Sequence, residues 1–290
     1  MDSNDIQVRK CVIPEGYAEK VYYRSRMKLY PDGGREIMYS LQPIFTPGST
    51  AEESPKSRRK SKPQHDGNEA EKPCSVSGNP GTAKESSAGP TSANFDRARR
   101  RARAKVRDLA LANHFQWFVT LTLDSAIVNR YDISSFGRVF TRWLDNAVRR
   151  RGLSYVIVPE RHKDGAIHFH GLFNDALPMV NSGHTDAAGH PIFNCTAWKF
   201  GFSACVQIYG SYTQAVSYVC KYIGKQGEKP GGRWYYSGGK LEKPTILYGV
   251  CEDWETAQNV ADAFGPLDAE TYSFEIPETG NRIGIIRQNM

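Results

Sequence analysis

The chain has 290 residues, and 38 Lys plus Arg against 31 Asp plus Glu give it a net charge of +7, a moderate pull toward polyanions such as nucleic acid. A mean hydropathy of −0.55 and the lack of a long apolar run exclude a membrane span, and the opening MDSNDIQVRK lacks the apolar core of a secretory signal, so a cytoplasmic protein is expected. Six cysteines, at 11, 74, 195, 205, 220 and 251, form no CxxC pair, which excludes a zinc ribbon or a secreted disulfide scaffold and leaves reduced thiols as the simplest state.

Residues 8–45 alternate apolar and polar positions around the turn signal YPDGGRE, which predicts a β-hairpin of KVYYRSRMKLY with EIMYSLQPIF and makes 1–45 an N-terminal hairpin segment. From 46 to 93 Ser, Pro, Gly and charge dominate with almost nothing to bury, the composition of a disordered linker. A helix is expected from the cap Asn94 through FDRARRRARAKVRDLALANH, with Arg97, Arg99, Arg100, Arg101, Arg103, Lys105 and Arg107 crowding its first turns. Two readings stand for this cation density. Either the helix face is solvated while Val106, Leu109 and Ala110 dock on the core, or the arginines contact DNA phosphates.

Further on, QWFVTLTLD reads as a strand with Phe118, Thr120 and Thr122 on one face and Val119, Leu121 and Leu123 on the other. ISSFGRVFTRWLDNAVRRRG reads as an amphipathic helix through Phe136, Phe140, Trp143, Leu144 and Val148 that stops at Gly152. The strands LSYVIVPE and AIHFHGLF follow, then a loop, a short strand near SACVQIYG and the helix SYTQAVSYVCKYIGK. This mixture predicts an α+β sandwich on a largely antiparallel sheet. In the loop, His184, His190 and Cys195 are candidate zinc ligands, but their spacing matches no common zinc pattern and a polar loop is the preferred reading.

The stretch DGAIHFHGLFN carries the chemistry. In a strand, residues two apart share a face with Cα atoms about 6–7 Å apart, so His168 and His170 can both reach one small ion while Ile167, Phe169 and Phe173 enter the core. If Lys163, Asp164 and Gly165 form a three-residue hairpin loop, Glu160 lies directly opposite His168 on the same face. Two imidazoles and a carboxylate then converge with coordination positions left open. The same register puts His162 on that face as a rival third ligand, but an oxygen donor suits the hard ions used on phosphates.

In YVCKYIGK, Ala215, Val216, Val219 and Ile223 form an apolar helical arc flanked by Tyr218 and Tyr222, with Lys221 and Lys225 toward solvent. Taken alone this is an ordinary amphipathic helix. Taken with a metal site it suggests phosphoryl transfer to tyrosine: a lysine ammonium stabilises the phenolate, and a divalent ion polarises the phosphate.

With these residues in place, the chain resembles the HUH superfamily of rolling-circle replication initiators, in the pattern of small-phage and plasmid Rep proteins. FVTLTLD is similar to the first family motif, HFH to the metal motif and YVCKYIGK to the Tyr-x-x-Lys motif, in the family's order over about residues 94–250. The last pattern occurs twice, as Tyr218 with Lys221 and Tyr222 with Lys225, which resembles the two-tyrosine phage initiators; the first copy matches better. The resemblance implies a ferredoxin-like antiparallel sheet with packed helices, and Mg²⁺ or Mn²⁺ at the histidines. It also implies nicking of single-stranded or hairpin origin DNA, with a 5′-phosphotyrosine and a primer 3′-hydroxyl as products. Glu160 matches the acidic third ligand of some members.

No GxxxxGK[ST] phosphate loop occurs, so a host helicase and polymerase are implied as partners. Residues 1–93 and the tail 251–290 match nothing in the family, and Arg233, Trp234, Tyr235 and Tyr236 read better as a packed hairpin than as a base-stacking platform. The alternatives are a relaxase or transposase using the same metal motif, or a non-catalytic ferredoxin-like nucleic-acid binder. Relaxases place the tyrosine before the histidines, and binders put stacking aromatics where this chain has histidines.

Overall fold

The structure is a computed structural model that describes residues 22–45, 92–224, 229–249, 253–263, 269–276 and 280–288. The expected linker therefore lies almost wholly outside the described residues, as does Lys225. In chain order the elements are β1 (Tyr22–Leu29), β2 (Arg35–Phe45), α1 (Ser92–Leu111), β3 (Trp117–Leu123), α2 (Ile133–Arg151), β4 (Tyr155–Arg161), β5 (Ile167–Phe173), β6 (Met179–Thr185), β7 (Pro191–Cys195) and β8 (Gly201–Gln207). They continue with α3 (Tyr212–Gly224), β9 (Tyr236–Gly238), β10 (Thr245–Tyr248), α4 (Trp254–Ala263), β11 (Ala269–Ile276) and β12 (Asn281–Gln288). Two antiparallel sheets with helices packed on them make this the α+β fold expected. No helix among the described residues is long and apolar enough to cross a membrane.

The larger sheet runs β6-β7-β8-β3-β5-β4-β9. Its centre, β8-β3-β5-β4, is the strand order of a ferredoxin-like sheet, with the β6–β7 hairpin standing between β5 and β8 where that fold has its second helix. The alternation within each strand sorts the two faces. Trp117, Val119 and Leu121 of β3, Ile157 of β4 and Phe169 of β5 pack against Phe136, Phe140 and Leu144 of α2. These helical residues recur every fourth position and so share one stripe. Phe140 stacks on Phe169 with ring centroids 4.0 Å apart. Asp132 caps α2 by accepting the Ser134 N–H, and Gly152 ends it in the left-handed conformation at φ 71°.

The opposite face of the sheet carries α1 and α3: Val156 and Val158 of β4 and Leu172 of β5 meet Val106, Leu109 and Ala110 of α1 and Val216, Val219 and Ile223 of α3. Trp234 is buried in this layer and Tyr236 in the other, with β9 pairing as an edge strand on β4. The RWYY segment is thus packed, as one added strand and not as a hairpin.

Two expectations change. The segment read as a loop is the β6–β7 hairpin, which extends the sheet beyond β8. Its residues are mostly polar and its burial shows no alternation, so the apolar period that marks a strand is missing although the backbone pairing is present. The tail, mute in sequence, supplies α4, β11 and β12, the two strands joining a second sheet of order β10-β1-β2-β12-β11. The N-terminal hairpin is therefore completed by strands from the other end of the chain. Ala257 of α4 covers it with Trp254 and Val260 at the margin, over Met27, Ile37, Tyr39 and Ile286.

Candidate active site

The site begins with the β4–β5 turn. His162 donates its backbone N–H to the Ala166 carbonyl at 2.8 Å, Asp164 accepts the Ala166 N–H at 3.0 Å, and Gly165 takes φ 87°. A side chain at Gly165 would strain that left-handed position. Lys163, Asp164 and Gly165 are thus the three loop residues anticipated, and the register sets Glu160 opposite His168 and Val158 opposite His170.

Both histidines face the α1/α3 layer. His170 is buried, with Nε2 2.9 Å from Glu160 Oε2 and Nδ1 3.1 Å from the Thr120 hydroxyl, its cross-strand neighbour on β3. The hydroxyl and the carboxylate hold the ring from both ends. His168 is half-buried and stacks on His162 at 5.0 Å, with its centroid 6.3 Å from that of His170. Burial, then the neighbouring His162 charge, pushes the His168 imidazole below its ordinary pKa and favours the neutral, lone-pair-bearing form.

The chemistry of this donor set, two imidazoles and a carboxylate on one face, fits a divalent ion. As the side chains lie, Glu160 and His170 are in contact while His168 stands apart, and no three His, Cys, Asp or Glu among the described residues are gathered closely enough to hold one. The same holds for His184, His190 and Cys195: His190 pairs with Asp186 at 3.2 Å, and Cys195 is a buried free thiol.

Tyrosines from α3 complete the site. The Tyr222 ring lies flat on His170, centroids 3.8 Å apart and planes 4° from parallel. Tyr218 meets Tyr222 edge-on at 5.2 Å and leans on Phe118 of β3 at 5.4 Å. The pair is unequal: Tyr222 is 7% exposed and Tyr218 50%. Cys220 joins Val216, Val219 and Ile223 on the buried side, which turns the helix so that Tyr222 enters the packed layer instead of flanking it with Tyr218. Burial, then a hydrogen bond to Tyr218 and the nearby Tyr218 and Glu160, pushes the Tyr222 hydroxyl pKa up. Lys221 is exposed on the same helix.

The cations of α1 divide. Arg97, Arg100, Arg101, Arg103 and Lys105 are exposed, and α1 packs along α3 beside the tyrosines. Arg99 instead binds Asp96 at 2.8 Å and reaches the Gly224 carbonyl at 3.5 Å, and Arg107 pairs with Glu36 at 3.1 Å. Sequence reasoning placed Thr120 on the correct face but missed its hold on His170, because that contact depends on the β3–β5 pairing.

Residues 116–227 match a family model of replication-associated proteins, the ORF2 group. The match spans β3 through α3, and with them Glu160, His168, His170, Tyr218, Lys221 and Tyr222, and it accords with a rolling-circle replication initiator. No curated protein and no solved structure matches the chain.

Proposed function

We propose that this protein is a rolling-circle replication initiator of the HUH type that nicks one strand of origin DNA and later rejoins it. The observation that carries the reading is the Tyr222 ring stacked at 3.8 Å on His170, whose other contacts are Glu160 and Thr120. A tyrosine packed on a histidine–carboxylate pair, with a second tyrosine one turn away, brings nucleophile and phosphate-binding groups to one place.

In this reading a tyrosine oxygen attacks the scissile phosphorus, the bond from phosphorus to the 3′-oxygen breaks, and the phenolic proton ends on the released 3′-hydroxyl. The 5′-phosphate remains esterified to tyrosine and retains the energy of the broken bond for rejoining. Lys221, and Lys225 beyond the described residues, supply positive charge to the phenolate and the phosphate. Glu160, His168 and His170 are the residues to hold Mg²⁺ or Mn²⁺, which when bound polarises a non-bridging phosphate oxygen. A turn of the His168 side chain toward its neighbours closes that set. The exposed arginines of α1 hold the strand by its phosphates, and unwinding and synthesis fall to a host helicase and polymerase.

The test incubates the full chain with a pool of random single strands labelled at the 3′ end, in Mn²⁺, and resolves the products on a denaturing gel. A labelled protein band that requires the metal and is absent from the Tyr218→Phe/Tyr222→Phe double variant is expected. Absence of that band from the wild-type protein overturns the proposal.

A further inference from the structure

Beside Tyr218, on the side away from His170, lies an open cleft of about 450 Å³. That volume is within the roughly 300–1,000 Å³ of small-ligand sites. Its floor is Phe118 of β3 with Val206 of β8, its near wall is Tyr218, and its far wall is Tyr209 in the β8–α3 connection. The two walls are aromatic and about half exposed, Tyr209 at 48% and Tyr218 at 50%. Large half-exposed rings facing a cavity offer flat apolar surface to a planar ligand.

The far wall is held in place. Tyr209 donates its hydroxyl to Gln207 Oε1 at 3.0 Å, and His190 stacks on its ring at 4.8 Å and 17°. His190 is in turn fixed by Asp186, which accepts its backbone N–H at 2.8 Å and meets its Nδ1 at 3.2 Å. This makes use of the β6–β7 hairpin, whose turn carries Asp186 and His190. Gln214 of α3 adds an amide at the rim, so donors and acceptors surround an aromatic slot.

We propose that this cleft is a base-binding subsite that stacks an unpaired nucleobase of the DNA strand between Tyr209 and the Tyr218–Phe118 pair, next to the phosphate to be cut. The inference rests on the nicking reading for its substrate, and it adds the residues that position the strand. Tyr218 belongs to both places, so a base seated in the cleft draws its adjoining phosphate toward the tyrosines. Tyr209, His190 and Gln214 become positioning and selectivity residues, with the β6–β7 hairpin as the device that supports them.

The test measures binding of a short fluorescein-labelled oligothymidylate to the full chain by anisotropy, in chelator, where no strand is cut. Base–aromatic stacking predicts that Tyr209→Ala weakens binding about fivefold to thirtyfold. Tyr209→Phe, which keeps the ring and loses only the bond to Gln207, should stay within about twofold of wild type. No measurable wild-type binding, a Tyr209→Ala affinity equal to wild type, or equal losses in both variants overturns the subsite. The two readings fail separately. Absence of the covalent band with the Tyr209→Ala loss intact removes the nickase and leaves the base site, whereas a normal band with no Tyr209→Ala loss does the reverse.

Discussion

Replacing Tyr218 or Tyr222 by phenylalanine removes one hydroxyl and leaves every ring contact, including the Tyr222 stack on His170 at 3.8 Å. In an initiator whose two tyrosines exchange roles each round, each must be competent alone. Tyr218→Phe and Tyr222→Phe should therefore each still form covalent adduct, neither should rejoin strands efficiently, and the double variant should form none, with unchanged melting temperatures in all three. An adduct lost entirely in one single variant and untouched in the other leaves one nucleophile and makes the doubled motif coincidental. Thr120 acts one residue further out. Its hydroxyl at 3.1 Å from His170 Nδ1 fixes which ring nitrogen faces Glu160. Loss of such an outer contact costs about 10- to 100-fold in metal affinity or activity. Thr120→Val should raise the Mn²⁺ concentration for half-maximal adduct by about tenfold or more, and an unchanged metal dependence rules out that role. The Glu160–His168 register was legible because a three-residue loop with glycine third fixes strand pairing locally. The Thr120–His170 contact was not, because it joins residues fifty positions apart whose pairing no local signal announces.

At the scale of elements, α1 shows how far a charge run can be read. The sequence offered two roles for its cations, a solvated face or phosphate contacts, and the helix divides them: five exposed cations face outward, while Arg99 and Arg107 are engaged within the protein. Each single-strand phosphate contact contributes about 0.7 to the slope of log affinity against log salt. The triple variant Arg100→Ala/Arg101→Ala/Arg103→Ala should thus bind oligothymidylate more weakly and flatten that slope by about 2 without changing stability; an unaltered slope sinks the phosphate role. Arg107→Ala should behave in the opposite way. It leaves part of the buried Glu36 carboxylate without its guanidinium, which costs on the order of 1–2 kcal/mol in denaturant unfolding. The β6–β7 hairpin marks the limit of element reading. Its Asp186–Gly189 turn is ordinary, but its strands bury little, and a strand without an apolar face has no period to detect.

At the scale of the whole molecule, the two sheets are joined through charge. Lys28 of β1 binds Asp108 of α1 at 2.8 Å and Glu36 of β2 at 3.1 Å, and Glu36 also holds Arg107 of α1 at 3.1 Å and Arg287 of β12 at 2.8 Å. Glu36 thus ties β1, β2, β12 and α1 together, elements drawn from residues 22 to 288, and nothing local to any of them signals the others. That is why the tail stayed mute: its apolar positions complete a sheet begun at the far end of the chain. Burial alone would raise the Glu36 carboxyl, but Lys28 and Arg287, then Arg107, outweigh it and bring its pKa from 4.5 down to about 2. Because the folded pKa lies below the unfolded one, this network stabilises fully above about pH 4.5 and its contribution fades as pH falls toward 2. A shift of that size corresponds to roughly 3 kcal/mol at neutral pH. Thermal melts should therefore show wild-type stability falling steeply between pH 4.5 and 2. Glu36→Gln, which keeps the shape and loses the charge, should start lower at pH 7 and lose less across the same window. Parallel curves for the two proteins would mean that the carboxylate is not what holds the hairpin sheet to α1.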